Sequence, residues 1–197
     1  MTVNDPAPFC RTIVMISGAP GVGKTTIARP LARALGMPLF AKDSIKERIH
    51  DVLAETGPVD AGQVEAGPVE AGWSRRLGAA AMELLWVLAA DAPECVLEAN
   101  FWTGHARQNA SLRALSEGGK LVEVHCTAPK EVVMQRFRER AAVGERHAVH
   151  PDQELTSERW EADFHGPIGI GTLLTVDTST PVDVTKLAAE VRALLAA

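Results

Sequence analysis

The residues best placed to do chemistry form the run Gly18-Ala19-Pro20-Gly21-Val22-Gly23-Lys24-Thr25, which satisfies the spacing GxxxxGK[ST]. Such a run suits the binding of a phosphate chain. Gly18, Gly21 and Gly23 let the backbone close around phosphate oxygens, and the amides from Gly21 through Val22 and Gly23 to Thr25 are expected to point inward. Lys24 would place a positive charge on the outer phosphates, the Thr25 hydroxyl suits Mg²⁺, and Thr26 extends the cradle. Pro20 has no amide hydrogen, so it shapes the loop without donating to it. The expected ligands are ATP and Mg²⁺.

The flanking elements fit that reading. Thr12–Ser17 is a short β-branched run that predicts a buried strand. Lys24–Leu35 has apolar residues at helical spacing, with Gly36 as a stop and Pro30 as an awkward interior residue. Further strands are expected at Met37–Ala41, Glu94–Ala99, Leu121–Cys126 and Thr172–Val176. Helices are expected at Ser44–Ala54, Arg75–Ala90, Ala106–Ser116, Lys130–Ala142, Glu154–Asp163 and Val182–Leu195. Alternating strands and helices predict one α/β domain over residues 1–197, with a five-stranded parallel sheet covered on both faces. Residues 57–73 contain an imperfect Gly-, Pro- and acid-rich repeat, expected to form a mobile loop.

Composition narrows the function classes. The 197 residues are 46% hydrophobic and 23% charged, with a net charge of −5. That charge, without a basic and aromatic stripe, argues against long nucleic acids as partners. The longest apolar stretch, Leu77–Ala92, is broken by Glu83 and Asp91 and is too short to cross a bilayer. Three scattered cysteines suit a reducing cytoplasm, and the sequence leaves the oligomeric state open. His147 and His150 share a polar loop and His165 follows, but their spacing supplies no convincing third ligand, so zinc is not expected.

The phosphate loop, Phe40-Ala41-Lys42-Asp43-Ser44, the strand ending in Glu98, the arginine-rich helix and Val176-Asp177-Thr178-Ser179 together resemble the small P-loop kinases of the adenylate-kinase-like group. That group includes shikimate, gluconate and chloramphenicol kinases and small zeta-toxin-like or AAA-type ATP-binding proteins. The resemblance implies a three-layer P-loop NTPase fold with a small lid, here residues 136–152. It implies that Asp43 orients or deprotonates an acceptor hydroxyl, although Asp43 or Ser44 could equally cap the following helix. Glu98 stands where such proteins carry the acid of the metal site; a contact to the acceptor hydroxyl or a charged strand end remain open for it. Asn100, Phe101 and Trp102 would shape an acceptor pocket, unless the aromatics are core. Arg136 and Arg140, on one helix face, and Arg146 would close over ATP and steady the transferring phosphoryl group. Asp177 falls in the segment that passes the base, or caps a turn.

These expectations describe an ATP-dependent phosphotransferase acting on a hydroxyl of a small molecule. Two alternatives stand beside it. One is a kinase of nucleotides or polynucleotide ends; the other is a nucleotide-binding switch or regulatory ATPase acting through a protein partner.

Overall fold

A computed structural model describes residues 10–55, 71–143, 147–150 and 166–197. Its elements are β1 (Thr12–Ser17), α1 (Lys24–Leu35), β2 (Leu39–Ala41), α2 (Lys42–Glu55), α3 (Ala71–Asp91) and β3 (Glu94–Glu98). They continue with α4 (Ala106–Ser116), β4 (Lys120–Thr127), α5 (Lys130–Val143), β5 (Thr172–Asp177) and α6 (Val184–Ala196). The five strands form one sheet in the order β2-β3-β1-β4-β5, and every pairing is parallel. β1 is central. Its chain leaves toward β2 on one side, whereas β4 and β5 lie on the other. The carboxyl ends of the strands therefore open onto a crevice where the connections diverge, the usual ligand position in such sheets.

β1 is apolar on both faces because both are covered. Val14 and Ile16 pack with Ile27, Ala28 and Leu31 of α1, Val133 of α5 and Leu187 and Val191 of α6. Ile13 and Met15 pack on the opposite face with Leu85 and Ala89 of α3 and Leu112 and Leu115 of α4. This is a three-layer α/β arrangement. Among the described residues no helix is long and apolar enough to cross a membrane.

Several boundaries differ from the sequence expectation. α2 starts at Lys42, so Asp43 sits in its first helical turn and neither Asp43 nor Ser44 is an N-cap. An acid there still complements the helix dipole. α3 starts at Ala71, which removes residues 71–73 from the expected loop; residues 56–70 lie outside the described ones. The expected helix 154–163 also lies outside them. α1 runs unbroken through Pro30 and ends on Gly36 at φ 80°, where the left-handed conformation favours glycine.

Candidate active site

The phosphate loop is shaped by its own residues. Ala19-Pro20-Gly21-Val22 closes a turn in which the Val22 amide donates to the Ala19 carbonyl at 3.2 Å. Proline second and glycine third, with Gly21 at φ 83°, are what a type II turn requires. The Val22 amide is thus engaged within the loop and does not point inward as expected. Gly18 has φ 129°, and a Cβ there would lie 2.4 Å from the Cys126 carbonyl oxygen, so only glycine fits. Gly23, at φ 102°, stands at the N-cap of α1 and turns the backbone into the helix. Lys24 Nζ donates to the carbonyls of Gly18 and Ala19, each at 2.9 Å, which folds the side chain back over the loop. Thr25 and Thr26 are exposed on the first turn.

Two carboxylates face this loop. Glu98, 4% exposed at the end of β3, accepts a hydrogen bond from the Thr25 hydroxyl at 3.2 Å. Burial pushes its carboxyl above the ordinary value; nearby Lys24 opposes this and Asp43 adds to it. Asp43 lies at the start of α2 with its side chain 47% exposed, 3.2 Å from Lys42 Nζ. Burial acts against its ionisation, but Lys42, His150 and Lys24 outweigh it and hold the carboxyl below its ordinary value. The two acids therefore titrate apart: Asp43 is the readily ionised one, and Glu98 the one whose charge is costly.

The other expected site residues are distributed differently. Arg136 of α5 donates to the carbonyls of Val22 (3.3 Å) and Thr178 (2.7 Å), so it braces the outer wall of the phosphate loop. Arg140 belongs to α5, but its side chain and the whole of Arg146 lie outside the described residues. Phe101 is turned into the core beside Trp86, with ring centroids 6.2 Å apart. Trp102 is 50% exposed, and Asn100 is half-buried between them and β3. Asp177 Oδ1 accepts from the Ser179 amide at 2.8 Å, closing a local turn.

Three further features of the site come from the structure. Thr178 is buried and its hydroxyl donates toward the Val22 and Thr127 carbonyls, tying the loop to the ends of β4 and β5. Beneath the loop, Glu123 accepts from the Ser17 hydroxyl (2.6 Å) and from the amides of Ile168 and Gly169 (2.8 and 2.9 Å). His125 lies 2.9 Å from the same hydroxyl. Polar residues at positions 123 and 125 of an otherwise apolar strand share one face, and that alternation was the available signal. The third is His150, whose Nε2 lies 2.9 Å from Glu47 Oε1 on α2; burial pushes its ring below the ordinary value, and when protonated it favours the Asp43 carboxylate.

The geometry amounts to a preformed anion cradle, an oxygen donor pair at Thr25 and Glu98, and an ionised acid across from them. A family model described as an AAA domain matches residues 13–162. An uncharacterized protein of Mycobacterium tuberculosis (strain ATCC 25618 / H37Rv) is 26% identical over 132 residues, 66% of this chain, and the match spans 26% of that relative's length. Among solved structures, a candidate kinase from Chloroflexus aurantiacus j-10-fl is 28% identical with a TM-score of 0.76, covering 94% of this chain and 98% of its own. The Mycobacterium tuberculosis APS kinase in complex with AMPPNP and APS has a TM-score of 0.57 at 19% identity, covering 96% and 100%. A shikimate kinase from Bacteroides thetaiotaomicron has a TM-score of 0.54 at 18% identity, covering 94% and 99%. The chain has the fold of the small P-loop kinases.

Proposed function

The chain belongs to the AAA-domain family, and we propose that within it this protein is an ATP-dependent kinase of a small molecule bearing a hydroxyl group. The observation that carries this reading is the convergence of Asp43 with Lys24 and Glu98. An ionised acid stands within electrostatic reach of the phosphate-loop lysine, while a second acid holds the loop threonine. A readily ionised carboxylate facing the loop is a group that can take the proton of an acceptor hydroxyl.

The residues fit the groups the reaction needs. Thr25 and Glu98 offer hard oxygen donors of the kind Mg²⁺ takes. Bound Mg²⁺ would supply neutralisation of phosphate charge there. The rest is the work of the chain. Lys24 would exchange its two carbonyl partners for oxygens of the outer phosphates. Asp43 would accept the proton of the acceptor hydroxyl as that oxygen bonds to the γ-phosphorus and the bond to ADP breaks. Arg136 and Thr178 would keep the loop wall fixed, so that little reorganisation is needed during transfer. Arg140 and Arg146 are proposed to close over the phosphates, excluding water that would otherwise hydrolyse ATP. Asn100 and Trp102 are proposed to border the acceptor, and Asp177 the nucleotide base. The matched part of this chain is about a quarter of the mycobacterial relative, so the assignment concerns this chain alone.

The test is a panel of hydroxylated metabolites, sugars, nucleosides and antibiotics assayed for acceptor-dependent ADP release. A stimulating compound whose product gains the mass of one phosphate supports the reading. ATP turnover that no acceptor stimulates, but a protein partner does, overturns it.

A further inference from the structure

α2 and the turn at residues 147–150 meet through a set of side chains that the reaction above does not use. His50 and Asp51 are neighbours on α2, and His147 comes from 96 positions away to place its Nε2 2.8 Å from Asp51 Oδ1. His50 Nδ1 lies 3.6 Å from that same oxygen. This nitrogen is buried and makes no hydrogen bond. The two imidazoles stand edge to face at 89° with centroids 5.2 Å apart. One ligand atom from each of the three residues lies within 4.8 Å of the other two.

We propose that His50, Asp51 and His147 form a binding site for a divalent transition-metal ion of the zinc class, clipping the 147–150 turn to α2. Two imidazoles and a carboxylate are a donor set that zinc accepts with three protein ligands and one open position. With metal–ligand bonds of about 2.0–2.2 Å, tetrahedral ligands sit roughly 3.4 Å apart. The His50–Asp51 separation already matches that, the His147–Asp51 contact opens slightly, and the remaining pair closes by at most about 1.4 Å. The site is half-buried on all three residues, which leaves a path of entry.

The chemistry of the free form agrees with this. A buried imidazole nitrogen without a hydrogen-bond partner is costly, and metal coordination satisfies it. His147 Nδ1 accepts from the Val149 amide at 3.2 Å, so its Nε2 carries the ring proton and donates it to Asp51. Coordination through Nε2 moves that proton to Nδ1 and turns the Val149 amide toward water. Arg48, 4.0 Å from the other Asp51 oxygen, stays as an outer partner of the carboxylate. His150 is engaged by Glu47 and serves as a second tether. Nitrogen donors here and oxygen donors at Thr25 and Glu98 would sort a softer ion from Mg²⁺. The assignment concerns binding alone and does not rest on the reaction proposed above.

The experiment uses the full chain, stripped with a chelator and titrated calorimetrically with Zn²⁺. Co²⁺ absorption serves as a probe of geometry. The expected result is one Zn²⁺ per chain and the intense visible absorption of tetrahedral Co²⁺. Affinity should fall at least tenfold in H147Q and in D51N and be retained in E98Q. At a hundredfold excess over Kd, Zn²⁺ should raise Tm by roughly 5–10 °C in the wild type and not in H147Q. H147Q alters a turn residue and keeps the helix intact, so its melting in the absence of metal controls for folding. Zn²⁺ affinity equal in wild type and H147Q, or lost in E98Q, would overturn the proposal.

Discussion

The Thr25 hydroxyl donates to Glu98 Oε1 at 3.2 Å, which joins the first turn of α1 to the end of β3 across 73 positions of sequence. The bond aims both oxygens into one space beside the phosphate loop. It also compensates only part of what burial costs the Glu98 carboxylate, whose proton is held above the ordinary value chiefly by that burial.

Glu98 gives a prediction with a definite sign. With its carboxyl raised in the fold, the native state keeps a proton that the unfolded chain has released. Stability therefore falls as pH rises from the unfolded value through the folded one, and the loss persists to neutrality. E98Q should flatten this part of the stability–pH curve and raise Tm at neutral pH by a few degrees, while Mg²⁺-dependent turnover drops. Calorimetry from acid to neutral pH reads it out; a variant less stable than wild type at neutrality contradicts it.

Asp43 is predicted to matter for transfer and not for holding nucleotide. D43N should lower kcat for the acceptor reaction by roughly 10²–10⁴. ATP affinity, measured by calorimetry, should change by less than about threefold, since the proposed phosphate site is the loop and not α2. Because Lys42, His150 and Lys24 together hold Asp43 below its ordinary value against its burial, its limb of the kcat/KM profile should fall in the acid range. A limb near neutrality would point to another base.

Thr178 offers a test of the loop's outer wall. T178V removes the hydroxyl that donates toward the Val22 and Thr127 carbonyls but keeps the side-chain volume. The expected cost is about 1–3 kcal/mol in stability, with nucleotide Kd weakened roughly tenfold, equal to about 1.4 kcal/mol. T178S should restore both. Restoration of stability without affinity would show that the hydroxyl does not shape the nucleotide site.

At Gly18 the prediction is steric. An added methyl would sit 2.4 Å from the Cys126 carbonyl oxygen in a backbone conformation, φ 129°, that side chains avoid. G18A should cost at least about 2 kcal/mol, seen as a lowered denaturation midpoint. G36A is the comparison, because nothing lies near its Cβ and only the positive φ opposes it. A variant G18A as stable as G36A would mean that β4 does not press on the loop.

What the sequence made legible was local. The bounds of β1, α1 and α4 follow from runs of apolar spacing, glycine stops and the GKT sequence, all of which act within a few residues. The parallel sheet followed from the alternation of elements. Contacts made over long separations were not legible. Thr178 meets Val22 from 156 positions away, and His147 finds its carboxylate partner on α2. The carboxylates that His147 and His150 meet belong to a helix that folding brings alongside, which spacing within the loop does not reveal. Phe101 takes the second of the two readings its position left open: its ring lies in the core beside Trp86.

The ammonium of Lys24 already rests on the Gly18 and Ala19 carbonyls, so neutral dipoles of the loop itself hold the cation at the donor half of the site. Arrival of a triphosphate would swap neutral dipoles for anionic oxygens on a lysine already in place, and departure of the nucleotide would return it to a berth inside the same loop. Binding and release at this end of the crevice would then be a trade between partners of one cation.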